Sequence, residues 1–206
     1  IVMPIFNRIS GLSETNSKNK SYDYFLFDLD NTLFDFNKSQ QVAMEELFAD
    51  HGFELTPEVK AEYKRINERM WAEYEKGNKT QQEVMEDRFA ELKDQFGLEL
   101  DPKEFNKEYL YKLGKGNHML DGTEELIHKL KANGKKVYIV TNGETNIQYS
   151  RIALSPIKDE LDGIYISEEI GYKKPQPEFF EYVLNAIGIK DRNKVLIIGD
   201  RLSADI

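Results

Sequence analysis

The chain of 206 residues contains no cysteine, and it has only three histidines and one tryptophan. Disulfide bonds and thiolate metal sites are therefore excluded. The histidines, His51, His118 and His128, show no ligand spacing to one another, and we expect structural or surface roles for them. No apolar run reaches the ~18 residues that a membrane-spanning helix requires. The sequence thus gives no indication of a membrane partner.

Basic residues are also in short supply, because 28 Lys and Arg face 37 Asp and Glu, which gives a formal net charge of −9. This balance argues against a nucleic-acid polymer as partner, but it is compatible with a small phosphorylated substrate. The segment Ile1–Phe6 is too short for a signal peptide and has no basic residue before it, so we expect a cytoplasmic protein. Residues 10–21 are rich in Ser, Asn, Lys and Gly. We therefore predict a flexible leader over residues 1–21.

The most informative stretch is Tyr24–Phe34, in which an apolar run is followed by Asp28, Asp30 and Thr32. A short apolar run that ends in polar turn residues indicates a buried strand of a parallel sheet. Active sites of open α/β sheets lie beyond the carboxyl ends of such strands. Both carboxylates can then face one crevice, although carboxylates that merely cap the next helix are an alternative.

From residue 37 to 114 the pattern is helical throughout. Thr56-Pro57, the capping box Thr80–Glu83 and Asp101-Pro102 each predict the start of a helix, after a first helix that ends near Gly52. Apolar residues recur at three- and four-residue spacing in each segment. We predict four helices that bury their apolar stripes against one another as a separate bundle.

The rest of the chain alternates between helices and short apolar strands. Strands are predicted at residues 137–140, 163–167 and 195–198, with helices at 123–132, 146–154 and 177–187. Such alternation is typical of βαβ units and a parallel sheet. The predicted organisation is an α/β core formed by residues 22–36 and 115–206, with the helical insert at 37–114.

Polar residues cluster where the predicted strands end, and parallel strands would bring them to one edge of the sheet. Several carboxylates in one pocket repel each other, and a hard cation such as Mg²⁺ relieves that repulsion. A hydroxyl, backbone N–H groups and a lysine suit the binding of phosphate oxygens. Together these groups indicate a phosphoryl-transfer site. Its members are Asp28, Asp30, Thr141, Asn142, Gly143, Lys174, Asp200 and Asp205.

The four motifs, Asp-Leu-Asp-Asn-Thr, Thr-Asn-Gly, Lys-Lys-Pro and Gly-Asp with a second Asp five residues later, resemble those of the haloacid dehalogenase superfamily. The resemblance implies a Rossmann-like core with a helical cap domain, and Mg²⁺ as cofactor. It implies that Asp28 is the nucleophile and Asp30 the general acid and base. Thr141, Asn142 and Gly143 would hold the phosphoryl group, and Lys174, chosen over Lys173, would stabilise its charge. Asp28, Asp30 (through its carbonyl), Asp200 and Asp205 would bind the metal.

The insert is similar to the cap of pyrimidine 5′-nucleotidases, through Asn67-Glu68-Arg69-Met70-Trp71, Tyr74, Gly77 and Arg88-Phe89. This resemblance implies that Trp71 and Tyr74 stack on a base and that Arg88 meets a polar substrate edge. The alternative is structural, because aromatic residues at helical spacing usually form a bundle core and an arginine on a helix is usually solvated.

The resulting hypothesis is a Mg²⁺-dependent phosphomonoesterase acting through an aspartyl-phosphate on nucleoside 5′-monophosphates. A sugar-phosphate phosphatase or mutase, a haloacid dehalogenase and an inactive binding scaffold are the alternatives. Asp30 argues against a dehalogenase, since a halide leaving group needs no acid. Members of the superfamily continue with a further helix and strand after the fourth motif, so we expect that part of the protein to lie beyond Ile206.

Overall fold

The computed structural model describes residues 2–4 and 21–205, and these form two compact units. The α/β unit contains the described residues up to 36 and from 117 onward, and the helical unit contains residues 37–116. The sequence placed the insert at 37–114, two residues short of the division in the structure. Within the described residues, no helix is long and apolar enough to cross a lipid bilayer.

The helical unit is formed by the four helices expected for the insert, the first of which begins one residue before the division between the units. Their bounds are Phe36–Asp50 (α1), Pro57–Glu75 (α2), Gln81–Phe96 (α3) and Pro102–Leu113 (α4). Local capping explains where three of them begin. The Thr56 side chain accepts a hydrogen bond from the Val59 N–H, and the Asp101 side chain accepts from the N–H groups of two residues in α4. Thr80 and Glu83 form the predicted capping box.

Aromatic rings fill the centre of the helical unit. Phe89 of α3 packs against Tyr63, Phe105 and Tyr109, with ring centroids 5.1 to 5.3 Å apart. Phe48 of α1 packs edge-on against Phe105 at 5.6 Å. Aromatic pairs at these distances add to the stability gained from burial. The aromatic residues of the helical pattern thus join all four helices into one core.

Arg88 lies inside this core rather than on the surface of α3. It is 2 % exposed, and its guanidinium carbon lies 4.7 Å from the centre of the Tyr109 ring. Its Nε and Nη2 donate to the Asn106 Oδ1 at 3.0 and 2.6 Å, and its Nη1 donates to the Asn67 Oδ1 at 3.3 Å. These contacts correct both sequence interpretations of Arg88, as a substrate contact and as a solvated side chain. Its polar partners are amides of the bundle itself.

We predict that Arg88→Ala destabilises the helical unit by about 3 kcal/mol, because it leaves a cavity and two buried amide oxygens without donors. Urea unfolding followed by the fluorescence of Trp71, the single tryptophan, reports on this unit. Arg69→Ala is the matched control, since Arg69 is 45 % exposed in its ion pair with Glu91 and should matter much less. Equal stability of the two variants would contradict the structural role of Arg88.

The α/β unit is built on a five-stranded sheet with the order β1-β5-β2-β3-β4. The strands are Val2–Pro4 (β1), Tyr24–Phe27 (β2), Lys136–Thr141 (β3), Gly163–Ile166 (β4) and Val195–Ile198 (β5). Strands β2 to β5 are parallel, as the alternating pattern predicts. The predicted α/β class with a Rossmann-like parallel core is thereby confirmed.

Strand β1 corrects the prediction for the start of the chain. Residues 2–4 fall in the predicted flexible leader, yet they pair antiparallel with β5, with Val2 opposite Ile198. Pairing satisfies backbone groups that β5 would otherwise present at an open edge. Residue 1 and residues 5–20 of the predicted leader lie outside the described residues.

Helices cover both faces of the sheet. Their bounds are Thr123–Ala132 (α5), Thr145–Ala153 (α6), Ser167–Ile170 (α7), Pro177–Ile187 (α8) and Leu202–Asp205 (α9). Ile127 of α5 and Ile152 of α6 pack with Ile139 on one face, and Phe179 of α8 packs with Val140 on the other. Successive strand residues point to opposite faces, which is why β3 is apolar along nearly its whole length.

The register of the parallel strands decides where the polar residues meet. Phe27, the last residue of β2, is opposite Ile139 of β3 and Ile198 of β5. The Asp28 N–H continues the ladder by donating to the Ile198 carbonyl at 2.8 Å. The chain segments that follow β2, β3 and β5 therefore begin at the same edge of the sheet.

Candidate active site

At this edge a buried lysine joins two carboxylates. The Lys174 Nζ donates to the Asp28 Oδ1 at 2.7 Å and to the Asp205 Oδ1 at 2.5 Å. All three residues are buried, and Lys174 is 1 % exposed. A buried charge is tolerated only when it is paired and hydrogen-bonded. Of the two adjacent lysines, the sequence preferred Lys174 over Lys173, and it is Lys174 that contacts Asp28.

The side-chain amide of Asn142 fixes the backbone of Lys174. Its Nδ2 donates to the Lys174 carbonyl, and its Oδ1 accepts from the Lys174 N–H, both at 2.8 Å. Asn142 follows β3, so this pair of bonds ties the loop before α8 to the end of that strand. Both polar atoms of the Asn142 side chain therefore bind the Lys174 backbone, and the contact of Asn142 with the phosphoryl group stays a prediction.

Asp28, Asp200 and Asp205 offer carboxylate oxygens that all lie within 4.8 Å of one another. Asp28 and Asp205 are buried, whereas Asp200 is exposed. One lysine balances only part of this negative charge. An octahedral cation such as Mg²⁺, which uses one or two carboxylates and keeps several waters, fits this set of donors. Among the described residues, this is the single group of acidic or histidine side chains with such an arrangement.

Asp205 reaches the cluster because residue 199 has no side chain. A Cβ at Gly199 would lie 2.0 Å from the Asp205 Oδ2. That oxygen also accepts a hydrogen bond from the Arg201 N–H at 3.1 Å. Gly199 follows β5 directly, so the carboxylate of α9 packs against the end of the strand. The glycine is required here for close approach, since its φ lies outside the left-handed region.

The proximity of several carboxylates raises the pKa values of some of them. Burial, opposed by Lys174 but reinforced by Asp205 and Asp30, raises the pKa of Asp28 to about 7. Although Asp200 is exposed at the surface, loss of hydration next to the protein and the Asp205 carboxylate raise its pKa as well. Although burial disfavours its charged form, the neighbouring Asp28 and Asp205 raise the pKa of Lys174 above its ordinary value. A bound cation would favour the ionised carboxylates.

Asp30 and Thr141 share a second set of polar contacts at the same edge. The Gln148 Nε2 donates to the Asp30 Oδ2 at 2.8 Å and to the Thr141 Oγ1 at 3.0 Å. The Arg151 Nη1 donates to the Asp30 Oδ1. The N–H of Gly143 donates to the Thr141 Oγ1 at 3.2 Å. The structure thus brings together the predicted residues of the α/β unit, within two connected groups of contacts.

Gln148 and Arg151 were not singled out from the sequence. They lie three residues apart on α6, the helix that follows the Thr141-Asn142-Gly143 turn. Residues at that spacing share one face of a helix. A polar pair on one face of the helix that follows the Thr141-Asn142-Gly143 turn was the available signal.

The predicted cap residues form contacts within the helical unit. Trp71 and Tyr74 are half-buried and pack edge-on, with ring centroids 5.4 Å apart. Arg88 is enclosed by the bundle.

Residues 22–206 match the family model described as haloacid dehalogenase-like hydrolase. The chain is 38 % identical over 187 residues to the HAD-hydrolase YfnB of Bacillus subtilis, which covers 91 % of this chain and 79 % of that protein. It is 33 % identical over 185 residues to the pyrimidine 5′-nucleotidase PynA of Streptococcus pneumoniae, covering 90 % of this chain and 78 % of PynA. The chain belongs to the haloacid dehalogenase-like hydrolases, which confirms the resemblance drawn from its four motifs.

A solved structure supports the same assignment. The crystal structure of YfnB bound to magnesium matches the fold with a TM-score of 0.87 at 38 % identity, covering 91 % of this chain and 83 % of that one. The pyrimidine 5′-nucleotidase YjjG of Escherichia coli is 30 % identical over 185 residues, which is 90 % of this chain and 80 % of YjjG. Pyrimidine 5′-nucleotidases, the subgroup expected from the helical insert, are thus among the similar proteins.

We predict that Gly199→Ala weakens Mg²⁺ binding at least about tenfold, because the new Cβ displaces the Asp205 carboxylate and rigid sites lose affinity when a ligand moves. Isothermal titration with MgCl₂ measures the change. Gly163→Ala is the control, since its Cβ would meet a Tyr138 ring carbon at 3.2 Å, outside the carboxylate cluster. Unchanged Mg²⁺ affinity in Gly199→Ala would show that Asp205 has no part in the site.

Proposed function

We propose that this hydrolase is a Mg²⁺-dependent phosphomonoesterase that acts through an aspartyl-phosphate intermediate. The observation that supports this proposal most directly is the pairing of Asp28 with the buried Lys174, beside the Asp200 and Asp205 carboxylates. A nucleophilic carboxylate, a fixed ammonium and a cation site within a few ångströms are the parts that phosphoryl transfer needs.

In the first step, a carboxylate oxygen of Asp28 attacks phosphorus, and the bond from phosphorus to the alcohol oxygen breaks. The proton for the departing alcohol comes from Asp30. The hydroxyl of Thr141 and the ammonium of Lys174 would bind the phosphoryl oxygens as their charge develops. Asp30 is held by neighbouring donors, so its carboxyl group has a defined direction.

In the second step, water attacks the phosphorus of the aspartyl-phosphate and gives its proton to Asp30. Inorganic phosphate leaves and the Asp28 carboxylate is restored, so both residues return to their starting state. Asp28, Asp200 and Asp205 would hold Mg²⁺, which would neutralise negative charge on the phosphoryl group when bound. Lys174 keeps Asp28 oriented between the two steps through the same hydrogen bond.

We propose nucleoside 5′-monophosphates, with pyrimidine bases preferred, as the substrate class. The support is the similarity over about nine-tenths of the chain to two proteins named pyrimidine 5′-nucleotidases. We assign the choice of leaving group to the helical unit, where Trp71 and Tyr74 are half-buried and offer aromatic surface. Arg88 is left out of this assignment because it is enclosed in the bundle.

We expect Asp28→Asn to reduce phosphate release by at least about 10³-fold, because an amide cannot replace the nucleophilic carboxylate. Phosphate release from a panel of nucleoside and sugar phosphates, with Mg²⁺ and with chelator, tests the reaction. Asp23→Asn is the control, since this carboxylate lies just before the same strand and pairs with Lys135 instead. Substantial activity in Asp28→Asn, or equal activity with chelator, would overturn the proposed reaction.

A second measurement tests the role of the helical unit. We expect Trp71→Ala to raise KM for a pyrimidine nucleoside monophosphate about tenfold through lost base stacking, with little effect on a small generic phosphate ester. Tyr111→Ala, which removes a ring that is 67 % exposed on α4, is the control. Equal effects on both substrates would give Trp71 a structural role, and a preference for sugar phosphates in the wild type would contradict the nucleotide assignment.

A further inference from the structure

Helix α6 supplies a donor to each oxygen of the Asp30 carboxylate. Arg151 binds Oδ1 and the Gln148 Nε2 binds Oδ2 at 2.8 Å. Gln148 is 1 % exposed and Arg151 is fully buried, whereas the Asp30 side chain is 28 % exposed, so the two donors are shielded from water and the carboxylate is still accessible. A carboxylate held at both oxygens cannot rotate about its terminal torsion without breaking a hydrogen bond to one of these buried donors.

The orientation of the Gln148 amide is fixed by Arg151. The Gln148 Oε1 accepts a hydrogen bond from the Arg151 Nη1 at 3.0 Å. The amide nitrogen must therefore face the other way, towards Asp30 and Thr141, and both of its hydrogens are used there. A flipped amide would place an oxygen against the carboxylate and a nitrogen against the guanidinium, which leaves neither with a partner.

The same amide determines what the Thr141 hydroxyl can offer. A hydroxyl has two acceptor positions and one hydrogen. The two acceptor positions of Oγ1 receive the Gln148 Nε2 at 3.0 Å and the Gly143 N–H at 3.2 Å. The hydrogen is left for a third group, so Thr141 can act towards a ligand only as a donor. That is the property required for contact with a phosphate oxygen.

Two further features hold this arrangement in place. The Arg151 guanidinium lies 5.3 Å from the centre of the Phe34 ring and 5.6 Å from that of Phe36, on the chain segment that follows Asp30. A Cβ at Gly143 would lie 2.2 Å from the Gln148 Nε2, so the amide packs directly against the backbone of the turn. The contacts tie α6 to the segments after β2 and β3.

We propose that Gln148 and Arg151 are positioning residues, which orient the Asp30 carboxyl group for proton transfer and set the Thr141 hydroxyl as a donor. This inference rests on the proposed phosphomonoesterase reaction. An ionised carboxylate has about four acceptor directions, and the two donors of α6 occupy two of them. The remaining directions carry the proton that Asp30 gives to the alcohol and takes from water.

A purely structural role for the ion pair between Arg151 and Asp30 predicts a different result. If Arg151 merely anchored α6, its loss would lower the activity towards every phosphate ester to the same extent. If it positions the proton donor, the loss depends on the leaving group. An alkoxide needs a proton to leave, whereas dinitrophenolate leaves without one, so the two kinds of ester separate the roles.

The test measures kcat/KM for a pyrimidine nucleoside monophosphate and for dinitrophenyl phosphate at one pH with Mg²⁺. We expect the ratio of the first value to the second to fall about tenfold or more in Arg151→Met and in Gln148→Glu, because a positioned acid contributes about 10²–10⁴-fold. Asp30→Asn removes the proton donor itself and therefore gives the largest fall in this ratio that we expect. Ile152→Val, a conservative change in the buried face of the same helix, should leave the ratio unchanged.

A double variant completes the experiment. Once Asp30→Asn has removed the carboxylate, adding Arg151→Met should cost almost nothing more with the nucleotide, since interacting residues are not additive. Parallel losses on both esters, or full additivity in the double variant, would overturn the positioning role while leaving the reaction itself intact. A wild-type protein that hydrolyses neither ester would refute the proposed function. Thermal melting confirms that each variant is folded.

Arg151→Lys gives one further test. Lysine cannot bind Asp30 and Gln148 together in the geometry of a guanidinium, so an unchanged ratio of the two kcat/KM values in this variant would also contradict the positioning role.

Discussion

The arrangement of the candidate active site, at the edge of the sheet where β2, β3 and β5 end, depends on one buried ammonium. Lys174 lies between Asp28 and Asp205 and donates to both, so three ionisable groups from distant parts of the chain are buried next to one another. Removing either kind of charge would leave the other buried without compensation, which is far more costly than the pair itself is stabilising. The two hydrogen bonds between the Asn142 side chain and the Lys174 backbone therefore fix the chain segment that carries this ammonium.

Two places in the site depend on the absence of a side chain. Gly199 lets the Asp205 carboxylate approach the end of β5, and Gly143 lets the Gln148 amide pack on the turn after β3. Neither glycine has a positive φ, so conformational freedom is not the reason for its presence. Space is the reason, because any β-carbon would displace a functional group by more than an ångström. The positions of the carboxylate and the amide are thus set by backbone surfaces, which deform less than side chains do.

Features that are determined locally could be predicted from the sequence. The ends of the apolar runs located the strands, and parallel pairing then placed Asp28, Thr141 and Asp200 at one edge. Threonine and aspartate caps located the helices of the insert. Features that depend on contacts between distant segments could not be predicted in the same way. The pairing of β1 with β5 and the burial of Arg88 were missed for this reason. The leader prediction was extended from the polar residues 10–21 to the apolar start of the chain, and the spacing of Arg88 on its helix did not reveal the amides that surround it.

The spacing of the site along the chain has a consequence for its synthesis. The Lys174–Asp28 contact joins residues 146 positions apart, and the Arg151–Asp30 contact joins residues 121 positions apart. Contacts of long sequence separation form late, because closure of the intervening chain must be compensated first. When β2 and the whole helical unit have emerged from the ribosome, Lys174, Asp200 and Asp205 have not yet emerged. The residues of the helical unit are all available to contact one another before that point, whereas the contacts of Lys174 with Asp28 and Asp205 require the chain up to Asp205.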